Sequence, residues 1–155
     1  SPELVSDIFE EAMKHIRPKV KTHSVSVVCE DDFLLVQADA KLIVQVIINL
    51  IDNALKYTPA TASITVCADK QHGMAEIKII DTGNGISDIE KEKIFDKFYC
   101  GQHKIADNRR SLGLGLYLCK AIVEAHGGTI CVTDNLPCGT VFRFTLPLEE
   151  VTYYE

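Results

Sequence analysis

Asn49, Asn53 and Lys56 follow one another at steps of four and three residues inside Asp39–Pro59, DAKLIVQVIINLIDNALKYTP, a spacing that brings side chains to one side of a helix. On a helix advancing about 100° per residue, the polar members Lys41, Gln45, Asn49, Asp52, Asn53 and Lys56 fall within an arc of roughly 120°. Nearly everything off that arc is Leu, Ile, Val or Ala, so most of the circumference should be buried. The stripe is either a solvated face or one wall of a cleft. Neutral amide oxygens beside one cation suit a hydrated metal and its polyphosphate better than open water, where Glu and Lys pairs are commoner.

Two glycine-bearing segments bear on that choice. Asp81-Thr82-Gly83-Asn84-Gly85-Ile86 places an acid at the end of an apolar alternating run, followed by a backbone that bends sharply and admits close approach of a ligand. Taken alone, D-x-G-x-G also fits a turn-capping acid. Leu112-Gly113-Leu114-Gly115-Leu116 leads directly into an apolar helical pattern. Glycines feeding a helix start free backbone N–H groups at the positive end of the dipole and can hold phosphate, although a glycine-bearing helix entry also exists without a ligand.

The elements that must position these residues follow from periodicity. Leu4, Val5, Ile8, Phe9, Ala12, Met13 and Ile16 recur at helical spacing until Pro18, an amphipathic lead-in helix and linker over residues 1–22. Ser24–Cys29 alternates as a strand, Glu30-Asp31-Asp32 is a turn, and Leu34–Gln37 is a second short strand. Asp39 is placed to cap the long helix. Ser63–Ala68 and Met74–Ile80 read as antiparallel neighbours turned by Gly73. Ser87-Asp88-Ile89-Glu90 has the form of a capping box and opens a short helix through Ile94, Phe95 and Phe98. The polar stretch 99–112, with Asp107, Asn108, Arg109 and Arg110, lacks apolar periodicity and has the character of a functional lid or a disordered segment. A helix from Leu116 runs to Gly127-Gly128. Thr129–Thr133 and Val141–Leu146 close the pattern as strands around Pro137-Cys138-Gly139.

Composition bounds the rest. At 155 residues, with 46% hydrophobic and 25% charged residues, the chain supports one domain with a proper core. A formal charge of −6 provides no basic field for a nucleic-acid backbone. No apolar run reaches about 18 residues, so no membrane span is expected. The opening Ser1-Pro2-Glu3 lacks a methionine and is expected to belong to an excised fragment. The six cysteines show neither a C-x-x-C pair nor a His at zinc spacing and are expected to be reduced, structural and cytosolic.

Taken in order, NLIDNALKYTP, DTGNGIS, FDKFY, LGLGLYLCKAIVEAHGG and GTVFRFTLP resemble the N, G1, F, G2 and terminal boxes of the catalytic ATP-binding domain of sensor histidine kinases. That domain shares its fold with gyrase B, Hsp90 and MutL, and the resemblance runs from about Ser24 to Pro147. The lead-in DDFLLVQADAKLIVQVIINLIDNALKYTP looks most like the osmosensitive, potassium-responsive sensor kinases. The resemblance implies an α+β fold of Bergerat type: a two-layer sandwich, with a mixed sheet on about three helices and an ATP lid over 99–112. Residues 1–155 would form one such domain, the cytoplasmic part of a membrane-anchored sensor kinase and itself without membrane contact. It would bind Mg-ATP and donate the γ-phosphoryl to a histidine on its own dimerisation and phosphotransfer domain, for onward passage to a response regulator.

Residue by residue, the resemblance implies that Asn53 supplies an oxygen to Mg²⁺, with Asn49 supporting it or the phosphates, and that Lys56 meets phosphate charge. These three would form the catalytic set. Tyr57 would flank the adenine or ribose, and Asp81 would accept the adenine amino proton while Gly83 and Gly85 let main chain close over the base. Ile86, Phe95 and Phe98 would line or support the pocket, with Phe95 equally open to a plain core role. Gly113, Leu114, Gly115 and Leu116 would wrap the triphosphate, Arg109 or Arg110 would add a cation or stay solvated, and Thr140 would sit beneath the adenine.

Two departures stand out. Ser111 occupies a place where the second glycine box usually has one more glycine, which should stiffen the lid hinge, and Asn84 stands where proline is frequent. In ATP-hydrolysing relatives the residue four before the metal-binding asparagine is usually a glutamate that activates water. Asn49 stands there and cannot take a proton, so a gyrase- or Hsp90-like ATPase is disfavoured. A nucleotide-dependent interaction module, a pseudokinase reporting ATP occupancy, is the alternative, and Ser111 is the feature leaning that way. None of His15, His23, His72, His103 or His126 has the adjacent acid and downstream proline of a phosphoacceptor. The fragment alone is therefore not expected to phosphorylate itself.

Overall fold

The computed structural model describes residues 1–31, 33–97, 99 and 115–149. In chain order these form β1 (Pro2–Leu4), α1 (Val5–Ile16), a 3₁₀ turn (Arg17–Lys19), β2 (Ser24–Cys29), β3 (Leu35–Gln37), α2 (Ala40–Tyr57), β4 (Ser63–Gln71), β5 (Met74–Asp81), α3 (Asp88–Lys93), α4 (Gly115–Ala125), β6 (Ile130–Asp134) and β7 (Thr140–Pro147). A five-stranded sheet in the order β2-β4-β5-β7-β6 forms one layer. β2 and β4 pair in parallel and the remaining neighbours antiparallel, so the sheet is mixed. Helices α1, α2 and α4 form the other layer, α1 packed on α2 and α2 on α4. The expected α+β two-layer sandwich is what the chain forms.

α2 sits at the centre because its sequence leaves no alternative. Ile43, Val46, Ile47, Leu50 and Ile51 are fully buried, and each such side chain stabilises the fold by about 1.5–3 kcal/mol relative to exposure. They meet the inward faces of the strands, where Ile64, Val66, Ile77, Ile79, Phe142 and Phe144 alternate with less buried residues such as Thr65, Glu76, Lys78, Arg143 and Thr145. Asp39 caps α2 through its carboxylate, which accepts from the backbone N–H groups of Lys41 (3.1 Å) and Leu42 (3.3 Å). β4 and β5 are joined by His72-Gly73, both at positive φ (51° and 79°), between the paired Gln71 and Met74, the two-residue turn whose twist matches a hairpin. α4 ends as Gly127-Gly128 foretold: Gly127 has φ 82°, Gly127 N donates to Glu124 O and Gly128 N to Val123 O.

Two local expectations are corrected. Pro2–Leu4 is a strand rather than the first turn of the helix, because it pairs antiparallel with Leu35–Gln37 and Val5 N donates to Leu34 O (2.9 Å); that distant partner is invisible to local periodicity. Helix α3, capped by Ser87 Oγ accepting from Glu90 N (3.2 Å), stops at Lys93 instead of running on. Successive turns follow, with Asp96 N donating to Lys93 O and Tyr99 N to Asp96 O. They let the sequence neighbours Ile94 and Phe95 both pack on the core, Phe95 edge-on to Phe142 with ring centroids 6.1 Å apart. Among the described residues no helix is long and apolar enough to cross a membrane, and Cys29, Cys67, Cys119, Cys131 and Cys138 are not joined in disulfides.

Candidate functional site

The polar stripe of α2 is divided between two neighbours. Lys41, Gln45 and Asp52, on one flank, line a groove of about 660 Å³ against α1, where Asp52 is paired with Lys19 at 3.2 Å. Asn49, on the other flank, faces α4. Its Oδ1 accepts from Gln45 Nε2 (2.9 Å) and its side chain bonds the Cys119 sulfur. Burial pushes the Cys119 thiol up to about 12, so it stays uncharged. Asn53 is half-buried one turn further on. Lys56 is exposed, its ammonium 5.7 Å from the Tyr57 ring centroid.

Helix α4 runs antiparallel to α2, since Asp39 N donates to His126 Nε2 (3.1 Å) at one end and Cys119 Sγ lies 3.7 Å from Val46 O further along. Gly115, which opens α4, stands four residues before Cys119, about 6 Å along the axis. The first N–H groups of α4 are thus level with the segment of α2 that carries the two amides. Leu116 packs partly on the core. Gly113, Leu114 and Phe98, together with Arg109, Arg110 and Ser111, lie outside the described residues.

Asp81 ends β5 with only 4% exposure. One carboxylate oxygen accepts from Gly83 N (2.9 Å), and the group also accepts from the Thr140 backbone N–H. Burial holds its pKa above the ordinary carboxylate range, and the two backbone hydrogen bonds oppose that shift without cancelling it. Thr140, equally buried, faces Asp81 across the β5–β7 ladder. Gly83 lies against the end of α2: a Cβ there would stand 2.6 Å from Thr58 Cγ2. Thr58 caps the C-terminus of α2, five residues or about 7.5 Å along the axis beyond Asn53. Gly85 adopts φ 82°, as a turn that only glycine makes cheaply requires. Ile86 packs on the core, as does Phe95.

The described residues therefore bring Asp81, Gly83 and Thr140 together at the C-terminal end of α2, with Asn53 one to two turns back and the start of α4 level with the amide-bearing segment. The local sequence patterns did not mark what holds the acidic loop. Asn135 Nδ2 donates to Asp81 O (3.2 Å) and to Cys138 O (2.9 Å). Gly139 has φ 106° and comes so near Asp81 that a Cβ would sit 1.9 Å from its carbonyl oxygen. Thr82 N donates to Ser63 O (3.1 Å), and Ser63 N to Thr82 Oγ1 (2.9 Å). Sequence marks Gly139 only as a turn residue and Ser63 only as the start of a strand, and Asn135 gives no signal.

Residues 38–150 match the family described as histidine kinase-, DNA gyrase B-, and HSP90-like ATPase. The sensor protein KdpD of Clostridium acetobutylicum is 41% identical over 147 residues, covering 95% of this chain and 16% of that protein. The adaptive-response sensory kinase SasA of Synechocystis sp. is 37% identical over 150 residues, covering 95% of this chain and 39% of its own length. The chain thus spans well under half of these curated relatives. The nucleotide-free catalytic domain of the histidine kinase ThkA superposes with a TM-score of 0.84 at 26% identity, covering 95% of this chain and 94% of that one. ThkA in complex with the response regulator TrrA gives 0.79 at 27%, covering 95% and 41%. With its mixed sheet, its amide-bearing central helix and its match over 38–150, the chain belongs to the histidine kinase-, DNA gyrase B- and HSP90-like ATPase family, as a relative of the sensor histidine kinases.

Proposed function

We propose that this domain binds Mg-ATP and donates the γ-phosphoryl to a histidine on a separate dimerisation and phosphoacceptor domain, from which a response regulator receives it. The observation that carries the reading is the buried Asp81 carboxylate, kept at an energetic disadvantage at the end of a strand beside a glycine turn. A buried acceptor with an adjacent bare backbone suits the exocyclic amine and edge of adenine, with Gly83, Gly85 and Thr140 around it. Asn49, Asn53 and the opening turn of α4 from Gly115 would then face the phosphates, and Gly113 and Leu114 would wrap the triphosphate as the family resemblance implies. Lys56 would meet phosphate charge and Tyr57 would flank the adenine or ribose, while Ile86, joined by Phe98 on the family resemblance alone, would line the base side.

The donor set fits a magnesium ion that arrives with its nucleotide. Among the described residues no group of three His, Cys, Asp or Glu side chains could hold a metal alone, whereas a single amide oxygen from Asn53 suits an ion that keeps its waters and draws its other ligands from phosphate. Asn53 would hold that ion where it would neutralise phosphate charge. Asn49 lacks a proton-accepting group, so attacking water is left unactivated and the phosphoryl is reserved for the histidine. The lead-in DDFLLVQADAKLIVQVIINLIDNALKYTP, which resembles the osmosensitive, potassium-responsive sensor kinases, favours a kinase of that kind, in a cytoplasmic domain of a membrane-anchored protein, and the likeness to the sensor protein KdpD is in keeping with a sensor kinase.

Incubating the domain with labelled ATP and its cognate dimerisation domain should place acid-labile label on the latter, and none on this domain alone. Repeated ATP turnover by the isolated domain would replace the kinase reading with an ATPase. ATP binding without any phosphohistidine would replace it with the interaction module.

A further inference from the structure

His23 belongs to none of the motifs above. Its half-buried ring precedes β2, with Nε2 3.0 Å from Thr58 Oγ1 and 3.3 Å from Thr58 O. The Thr58 hydroxyl also lies 2.6 Å from Ala54 O, an atom that only accepts, so the hydroxyl proton points there. Toward His23, both Thr58 oxygens are therefore acceptors, and Nε2 carries the hydrogen they share. A threonine bonded on two sides keeps one rotamer. That rotamer sets Cγ2 against Gly83, at 2.6 Å from the position of a Cβ there. Gly83 N in turn holds Asp81 Oδ1 at 2.9 Å.

We infer that His23 is a positioning residue for the acidic loop, fixing the Thr58 rotamer and through it the stance of Gly83 and the aim of the Asp81 carboxylate. This rests on the reading of Asp81 and Gly83 as nucleotide-binding. The other supports of the loop come from the sheet side: Ser63 opens β4 and Asn135 follows β6. Thr58 instead ties the loop to α2, the helix of Asn49 and Asn53. A rigid Thr58 thus sets the span between the amides and the acid, the two ends of the pocket.

The arrangement also predicts a coupling that independent structural residues would lack. A methyl group at position 83 has to displace Thr58 Cγ2, and while His23 and Ala54 hold the hydroxyl, the threonine has nowhere to go. Releasing it at His23 should make room. Additivity fails for residues that share a partner in this way.

The test combines calorimetric titration of Mg-ATP with amide exchange at Gly83 in the nucleotide-free protein, on His23→Ala, His23→Gln and Gly83→Ala in both His23 backgrounds. His23→Ala should weaken Mg-ATP by about three- to tenfold, the scale of one neutral hydrogen bond, and speed Gly83 exchange by a similar factor. His23→Gln, whose amide donates from the same reach, should restore both. The penalty of Gly83→Ala should be at least about threefold smaller in the His23→Ala background. Should His23→Ala fail to fold, Thr58→Val keeps the branched shape while removing the hydroxyl, and should reproduce the same losses. Wild-type affinity and exchange in His23→Ala, or an equal Gly83→Ala penalty in both backgrounds, overturns the inference. If the wild-type protein binds no ATP, the nucleotide reading falls by itself, and Gly83 exchange, which needs no ligand, still decides the strut.

Discussion

Replacing Asp81 by asparagine should separate binding from stability. The carboxylate, 4% exposed, accepts from the N–H groups of Gly83 and Thr140. Asparagine keeps one acceptor oxygen and turns an NH₂ toward the other donor, losing a neutral hydrogen bond of about 0.5–1.5 kcal/mol. It also removes the cost of burying a charge, the same cost that raises the Asp81 pKa. The two changes oppose each other, so unfolding free energy in the absence of nucleotide should move by less than about 1 kcal/mol. Binding has no such offset. Losing a charge-assisted bond to the adenine amine is worth about 1.5–3 kcal/mol, or roughly ten- to 150-fold in Kd.

The pH dependence follows from the same shift. A carboxyl whose folded pKa lies above its unfolded value binds more protons when folded across that window, so its contribution to stability falls as pH rises through it. ATP affinity should run the opposite way, lost as pH falls through the raised value and the acceptor is protonated. Urea titrations and calorimetry on wild type and Asp81→Asn, from neutral to acidic pH, read both. An Asp81→Asn protein that binds ATP within about threefold of wild type, a loss of under roughly 0.7 kcal/mol, with adenine still preferred to guanine, would refute the reasoning.

Other consequences can be checked directly. Gly139→Ala puts a Cβ 1.9 Å from Asp81 O at φ 106°, so it should cost about 2–4 kcal/mol by urea unfolding, beyond the usual cost of a strained dihedral alone; an unchanged midpoint would contradict the close approach. Mg-ATP at a hundredfold excess over Kd should stabilise the fold by about 2.7 kcal/mol, and Asn53→Ala should erase the difference between titrations with and without Mg²⁺. In native buffer a thiol reagent should modify exposed Cys138 well before Cys119, which is fully buried and pushed up to about 12; equal rates would place Cys119 elsewhere.

Much of this protein is legible without coordinates wherever the physics is local. The apolar majority of α2, its Asp39 cap, the alternation of β4, β5 and β7 and the Gly127-Gly128 stop each depend on residues within a turn or two, so these elements follow from the string of residues, while their assembly into a two-layer sandwich is what the family resemblance implied. The chemical types of Asn49, Asn53 and Asp81 were likewise open to view. Tertiary structure decided what those residues face. One arc of α2 became two surfaces because the 3₁₀ turn after α1 took Asp52 and α4 took Asn49, and no periodicity records which neighbour arrives on which flank. It also decided that Leu4 is strand, that α3 stops at Lys93, that Ser63, Asn135 and Gly139 hold the acidic loop, and that His23 meets Thr58. His23, Ser63 and Asn135 bond groups 19 to 54 positions away in sequence, and a contact that exists only after the chain has folded back leaves no trace in the spacing of its neighbours.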